Sequence, residues 1–140
     1  MTIQAYSGIE KLVVVPGAPI QGSVSARSRA RIPGDKSLSH RAALLGAMAE
    51  GESIISNFLV SGVTKAMLNA LTTLEIDFEL SGSTLKIQGG GLDSRAGRKP
   101  VVLQCGNSAT TLRLLAGALV ARGQSCVLDG SDGLRRRPMN

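Results

Sequence analysis

The chain has no tryptophan, one tyrosine and two phenylalanines, so only 2% of its 140 residues are aromatic. Stacking on nucleic-acid bases therefore has almost nothing to work with, and no nucleic-acid partner is expected. Cysteine is equally scarce. Cys105 and Cys126 lack CxxC spacing and no export signal accompanies them, so both read as reduced core residues. No histidine lies near Cys105 in sequence to activate it as a nucleophile. No apolar run approaches the length of a membrane span, and the first residues lack the charged-then-apolar layout of a signal peptide. The expectation is a cytoplasmic protein with no membrane partner.

What is present describes a globular chain. With 43% hydrophobic and 19% charged residues, 140 residues can bury one core. Sixteen basic against ten acidic residues give a net charge of +6, which suits phosphorylated or carboxylated ligands. A solvated basic surface explains the same balance.

One stretch organises the rest: Ile32-Pro33-Gly34-Asp35-Lys36-Ser37-Leu38-Ser39-His40-Arg41. Pro-Gly ends an extended run and an apolar helical pattern follows at once. Asp35 or Ser37 can cap the helix, whose first N–H groups and dipole favour an anion. Lys36 adds an ammonium, Ser37 a hydroxyl and Arg41 a rigid fork, with Ser37 and Arg41 on one face four residues apart. An ordinary capped helix with two solvated cations would look the same. A nucleotide P-loop is excluded, because the GK[ST] ending and the glycine five residues before Gly34 are both missing.

Along the chain, Leu12-Val13-Val14-Val15 reads as a short strand stopped by Pro16-Gly17. Residues 24–32 alternate loosely and place Arg27, Arg29 and Arg31 on one face, as on a solvent-facing edge. A helix is predicted over 37–50, with Leu38, Ala42, Leu45 and Ala49 as its inward stripe and Gly51 as its stop. A strand over 53–59 follows, then a helix over 64–74 with Met67, Ala70, Leu71 and Leu74 inward. Residues 76–80 and 84–87 form a hairpin around Ser81-Gly82-Ser83. The fold class is α/β (α+β), built from β-α-β-α-β-β units. The domain reading takes 1–22 as an N-terminal segment and 23–140 as a partial domain, with one unit over about 23–90 and part of a second over about 100–140.

The sequence also repeats. Gly34 and Gly106 are separated by the same interval as Arg41 and Arg113, Ala49 and Ala121, Gly51 and Gly123, and Ser53 and Ser125. Both copies read as strand, Gly-x6-Arg, apolar helix, glycine stop and Ser-led strand. The second copy breaks off where its next helix would begin, which suggests an incomplete chain. Two helix starts could then converge on one anionic site, unless they are a duplicated packing motif with polar caps. In Arg135-Arg136-Arg137-Pro138, the proline makes Arg137 the arginine best held in one geometry.

Three ordered motifs closely resemble the 5-enolpyruvylshikimate-3-phosphate synthase family. They are Pro33-Gly34-Asp35-Lys36-Ser37-x-Ser39-His40-Arg41, Gly106-Asn107-Ser108-Ala109-Thr110-Thr111-Leu112-Arg113, and Leu134-Arg135-Arg136-Arg137-Pro138-Met139. The likeness runs from about Ser23 to the last residue and covers only the family's first third. It implies transfer of the enolpyruvyl group of phosphoenolpyruvate to shikimate 3-phosphate, with no metal or organic cofactor. By the same resemblance Lys36 would touch both substrates, and Ser37 and Arg41 would bind shikimate 3-phosphate. Asn107, the backbone around Ala109, and Arg137 would sit at phosphoenolpyruvate. The residues assigned to proton transfer belong to the family's C-terminal part, so the chain would need a complementary chain for turnover. The alternative is a non-catalytic anion-binding fragment. Ala109 stands where glyphosate-sensitive members carry glycine, Gly62-Val63 where relatives often place acids, and Glu75 where a glycine is common.

Overall fold

A computed structural model describes residues 2–4, 13–15, 33–92 and 100–138. The chain divides into two units between Ile32 and Pro33. In the first, β1 (Thr2–Gln4) pairs antiparallel with β2 (Val13–Val15), with Ile3 opposite Val14. The triple valine signals β2, whereas the short alternation of Met1-Thr2-Ile3-Gln4-Ala5 around β1 is missed by the sequence reading. The expected strand over 24–32, with Arg27, Arg29 and Arg31, lies outside the described residues.

The second unit opens on α1 (Lys36–Met48), capped by Asp35, whose carboxylate accepts from the Leu38 N–H at 2.7 Å. Next come β3 (Glu50–Ile55), α2 (Gly62–Thr73), β4 (Asp77–Ser81) and β5 (Thr84–Gly90). The three strands form an antiparallel sheet in the order β3-β5-β4. On β5, buried Leu85 and Ile87 alternate with exposed Lys86 and Gln88, so one face meets the helices and the other meets water. The hairpin turns through Gly82 at a φ of 57°, as its sequence predicts.

Several boundaries differ from the sequence expectation, those of α1 and β3 most clearly. Helix α1 ends at an Ala49 cap, so Gly51 is not its stop; Gly51 takes a φ of 83° inside β3. Strand β3 begins earlier than residue 53 and ends at Ile55, where the chain turns through Asn57 at a φ of 58°. The inward stripe of α1 is also overturned. Leu38 and Leu45 are 62% and 63% exposed, and the buried face carries Ser39, His40, Ala43, Leu44, Gly46 and Ala47. Close approach explains the choice of face. A Cβ at Gly46 would come within 3.2 Å of Ser53 Cβ, and one at Gly89 would run into the Gly46 and Ala49 carbonyls. Small residues let the α1 backbone lie directly on the sheet, a fit that a leucine stripe would prevent.

Helix α2 buries Met67, Ala70, Leu71 and Leu74 as its periodicity predicts. Beyond the undescribed residues 93–99, β6 (Val101–Gln104) and β7 (Cys126–Asp129) form a parallel pair joined by α3 (Ala109–Ala121). Gly123, at a φ of 67°, ends α3: its N–H reaches the Val120 carbonyl and the Gln124 N–H reaches that of Leu119. A short α4 (Asp132–Arg135) follows, capped by Ser131. Met67, Leu71, Leu85, Ile87, Leu103, Leu115 and Leu119 form one core from α2, β5, β6 and α3.

Both cysteines are free; Cys105 is buried and Cys126 half-buried. Burial pushes the Cys105 thiol from the usual 9.0 up to about 11, with Cys126 and Asp129 adding to the effect. It is no thiolate at neutral pH, which agrees with its reading as a core residue.

Adjacent leucines on α1 test the face assignment. In urea melts, Leu44→Ala should cost about 2–5 kcal/mol and Leu45→Ala under about 0.5 kcal/mol; equal losses would contradict it. Because the folded thiol of Cys105 holds its proton to a higher pH than the unfolded one, stability should fall as pH rises from 9 toward 11. Melts across that range should show a shallower decline for Cys105→Ala.

Candidate functional site

The first motif becomes a turn that only glycine can make. A methyl at Gly34 would collide with the Asn57 carbonyl and the Leu59 backbone. That close approach delivers the chain into α1, where Asp35 caps and the Ser39 hydroxyl accepts from the Leu59 N–H at 2.9 Å. Lys36 and Arg41 are exposed and Ser37 is half-buried, all on the first turns of one helix. A cavity of about 170 Å³ opens beside this start; its lining includes Gly34, Leu38, Ser39, Ala42 and Asn57 but not Lys36, Ser37 or Arg41.

The second motif is built likewise, with one shift. Gly106 turns at a φ of 56°, and its carbonyl accepts from the Ser131 N–H at 2.8 Å. Asn107 occupies the place that Asp35 holds in the repeat, yet the cap of α3 is the next residue, Ser108, which accepts from the Thr111 N–H at 3.1 Å. Asn107 is thereby left exposed beside the helix start, and half-buried Ala109 is the first residue of α3. Gly130 packs against the Gly106 carbonyl and Leu134, with no room for a side chain.

The three consecutive arginines take different partners. Arg135 grips Asp129 with both prongs, Nε to Oδ1 at 2.9 Å and Nη2 to Oδ2 at 2.8 Å. This pair, with the Gly130 N–H at 2.7 Å, holds the Asp129 carboxyl well below the usual carboxylate range. Arg136 is exposed. Arg137 donates from Nη2 to Asn107 Oδ1 at 3.1 Å, which brings two of the predicted residues together. Arg113, quoted in the second motif without a role, donates to the Pro138 carbonyl at 3.2 Å and so holds the segment that carries Arg137.

The six predicted residues thus form two groups: Lys36, Ser37 and Arg41 on α1, and Asn107, Ala109 and Arg137 around α3. Between the two helix starts lies His40, which is fully buried. Its Nδ1 is 2.7 Å from the Lys36 carbonyl, and its Nε2 is 3.1 Å from the Val63 carbonyl and 3.2 Å from Ser108 Oγ. Thr111 completes the cluster by donating its hydroxyl to Ser108 Oγ at 2.9 Å. Sequence reasoning quoted His40 and Ser108 inside the motifs but gave them no part. The available signal was a lone histidine one turn after a candidate ligand. Among the described residues, no group of three or more His, Cys, Asp or Glu could hold a metal ion, and no helix is long and apolar enough to cross a membrane.

Known proteins resemble the chain in both sequence and fold. Residues 17–140 match the family model of EPSP synthase (3-phosphoshikimate 1-carboxyvinyltransferase). The 3-phosphoshikimate 1-carboxyvinyltransferase of Thermoanaerobacter sp. (strain X514) is 44% identical over 108 residues, covering 77% of this chain and 25% of that protein. The protein of the same name from Roseiflexus sp. (strain RS-1) is 47% identical over 109 residues, covering 76% and 25%. The solved structure of EPSP synthase from Acinetobacter baumannii superposes with a TM-score of 0.66 at 34% identity, covering 77% of this chain and 24% of that one. The chain therefore spans about a quarter of the length of the relatives it matches. With its α/β architecture and three ordered motifs inside the matched residues, the chain belongs to the EPSP synthase family.

Proposed function

We propose that the chain supplies the N-terminal part of an enolpyruvyl transferase site. In that reaction the enolpyruvyl group of phosphoenolpyruvate passes to the 5-hydroxyl of shikimate 3-phosphate through a tetrahedral intermediate, and phosphate leaves. The observation that carries the reading is the bond from Arg137 to Asn107 Oδ1 beside the start of α3, while that helix start is joined through His40 to the start of α1. The guanidinium is held where an anion at the α3 first turn could also reach it.

In this reading Lys36 contacts both substrates, Ser37 and Arg41 take shikimate 3-phosphate, and Asn107, Ala109 and Arg137 take phosphoenolpyruvate. Dense cationic donors offset the repulsion between two highly charged anions and hold them in reacting geometry. Arg135 is excluded from that duty by its two-pronged pair with Asp129. The proton-transfer groups would come from a complementary C-terminal chain, against which residues 1–22 would pack. Residues 23–140 would form the partial substrate domain, and the setting is cytoplasmic.

Three experiments test this. The purified chain, titrated with shikimate 3-phosphate, should show NMR shifts at Lys36 and Arg41, and Arg41→Ala should weaken binding roughly tenfold, the worth of a charge-assisted hydrogen bond. The same chain should release no phosphate from the two substrates together. An unmoved spectrum would leave only a non-catalytic fragment, and measurable phosphate release would refute the need for a second chain. The methyl of Ala109 narrows the phosphoenolpyruvate end, so an enzyme completed with a relative's C-terminal part should resist glyphosate. Inhibition assays should then show sensitivity rising with Ala109→Gly; potent inhibition that the substitution leaves unchanged would count against this placement.

A further inference from the structure

His40 takes no part in the proposed substrate contacts, yet it is the chain's single histidine and is 0% exposed. Its Nδ1 is bonded to the Lys36 carbonyl oxygen at 2.7 Å. A ring fixed in this way on the second turn of α1 points its Nε2 at Val63 and at the Ser108 hydroxyl, which lies 68 residues away in the second copy of the repeat.

We infer that His40 is a positioning residue, whose ring sets the spacing between the donors of α1 and those of α3. The inference rests on the anion-binding reading above. Three observations carry it. The Lys36 carbonyl belongs to the peptide that links Lys36 to Ser37, so the Nδ1 bond fixes the backbone bearing both. Ser108 stands between Asn107 and Ala109, so the Nε2 end fixes the backbone bearing those two. Finally, α1 and α3 are neighbours that both bury apolar residues in the one core, and apolar contact is non-directional and lets helices slide. A planar ring bonded at both ends removes that freedom, because its two nitrogens keep a fixed separation and directional bonds demand alignment.

Two variants divide the ring. The amide of His40→Asn falls near Nδ1 and can keep the Lys36 bond while losing reach to Ser108. The amide of His40→Gln falls near Nε2 and can keep Ser108 while losing Lys36. Both remove a buried hydrogen bond, so both should lower the melting temperature, and stability alone does not distinguish them.

Titration of the whole chain with shikimate 3-phosphate, followed through the amides of residues 36–41 and 107–111, does distinguish them. In the unsubstituted chain both sets should follow one binding curve, and His40→Gln, which frees the backbone bearing Lys36 and Ser37, should bind roughly tenfold more weakly. His40→Asn should keep the binding curve of residues 36–41, with residues 107–111 no longer responding. If either variant fails to fold, Ser108→Ala cuts the same far end and should uncouple the two sets in the same way. Residues 107–111 still following the curve of residues 36–41 in His40→Asn or Ser108→Ala would overturn the role of His40 while leaving the anion-binding reading intact. No response in the unsubstituted chain would overturn both.

Discussion

Buried polar groups must find partners inside the protein, since an unpaired one costs about 1–3 kcal/mol. Here that constraint falls at the helix starts. The buried polar residues Ser39, His40, Thr64, Ser108 and Thr111 all lie at the cap or in the opening turns of α1, α2 or α3. Each is spoken for. Ser39 takes the Leu59 N–H, and Thr64 shares a capping box with Ser61 and donates to the Leu59 carbonyl at 2.6 Å. His40, Ser108 and Thr111 satisfy one another. Among the described residues no buried side-chain nitrogen or oxygen lacks a partner. The three helices therefore enter the core in a fixed arrangement, and the exposed groups on their first turns inherit it.

The parts of this arrangement that are local in sequence were legible in advance. A helix cap at Asp35 or Ser37, the hairpin through Gly82 and the inward side of α2 each follow from residues within a few positions of one another, and the structure chooses Asp35. The buried face of α1 was not. Its leucine stripe and its alanine-glycine stripe are both helical in period, and the choice depends on how closely the backbone can approach Gly89, which lies some forty residues away. Periodicity ranks faces by hydrophobicity, whereas close packing ranked these by size. At the candidate site, the residue types were readable from the motifs, but the pairing of Arg137 with Asn107 and the joint at His40 are long-range facts.

Duplication also conceals differences. Gly51 and Gly123 occupy equivalent places in the repeat and both adopt left-handed backbone, yet only Gly123 closes a helix. Asp35 and Asn107 are likewise equivalent, but only Asp35 caps. In the second copy the cap has moved one residue along, and that small slip frees the Asn107 amide for Arg137. Two copies of one supersecondary unit have thus been given unequal chemistry.

The run at 135–137 carries a related lesson about what a side chain's geometry demands. Arg135 meets both oxygens of Asp129, and a lysine there could offer only a single point of contact. Arg137 uses one guanidinium nitrogen on Asn107, which leaves the rest of its fork for another acceptor. What reads along the chain as one undivided block of charge is, in space, a brace and a hand set next to each other. Their shared chemical identity says nothing about which of them could change and leave the molecule as it was.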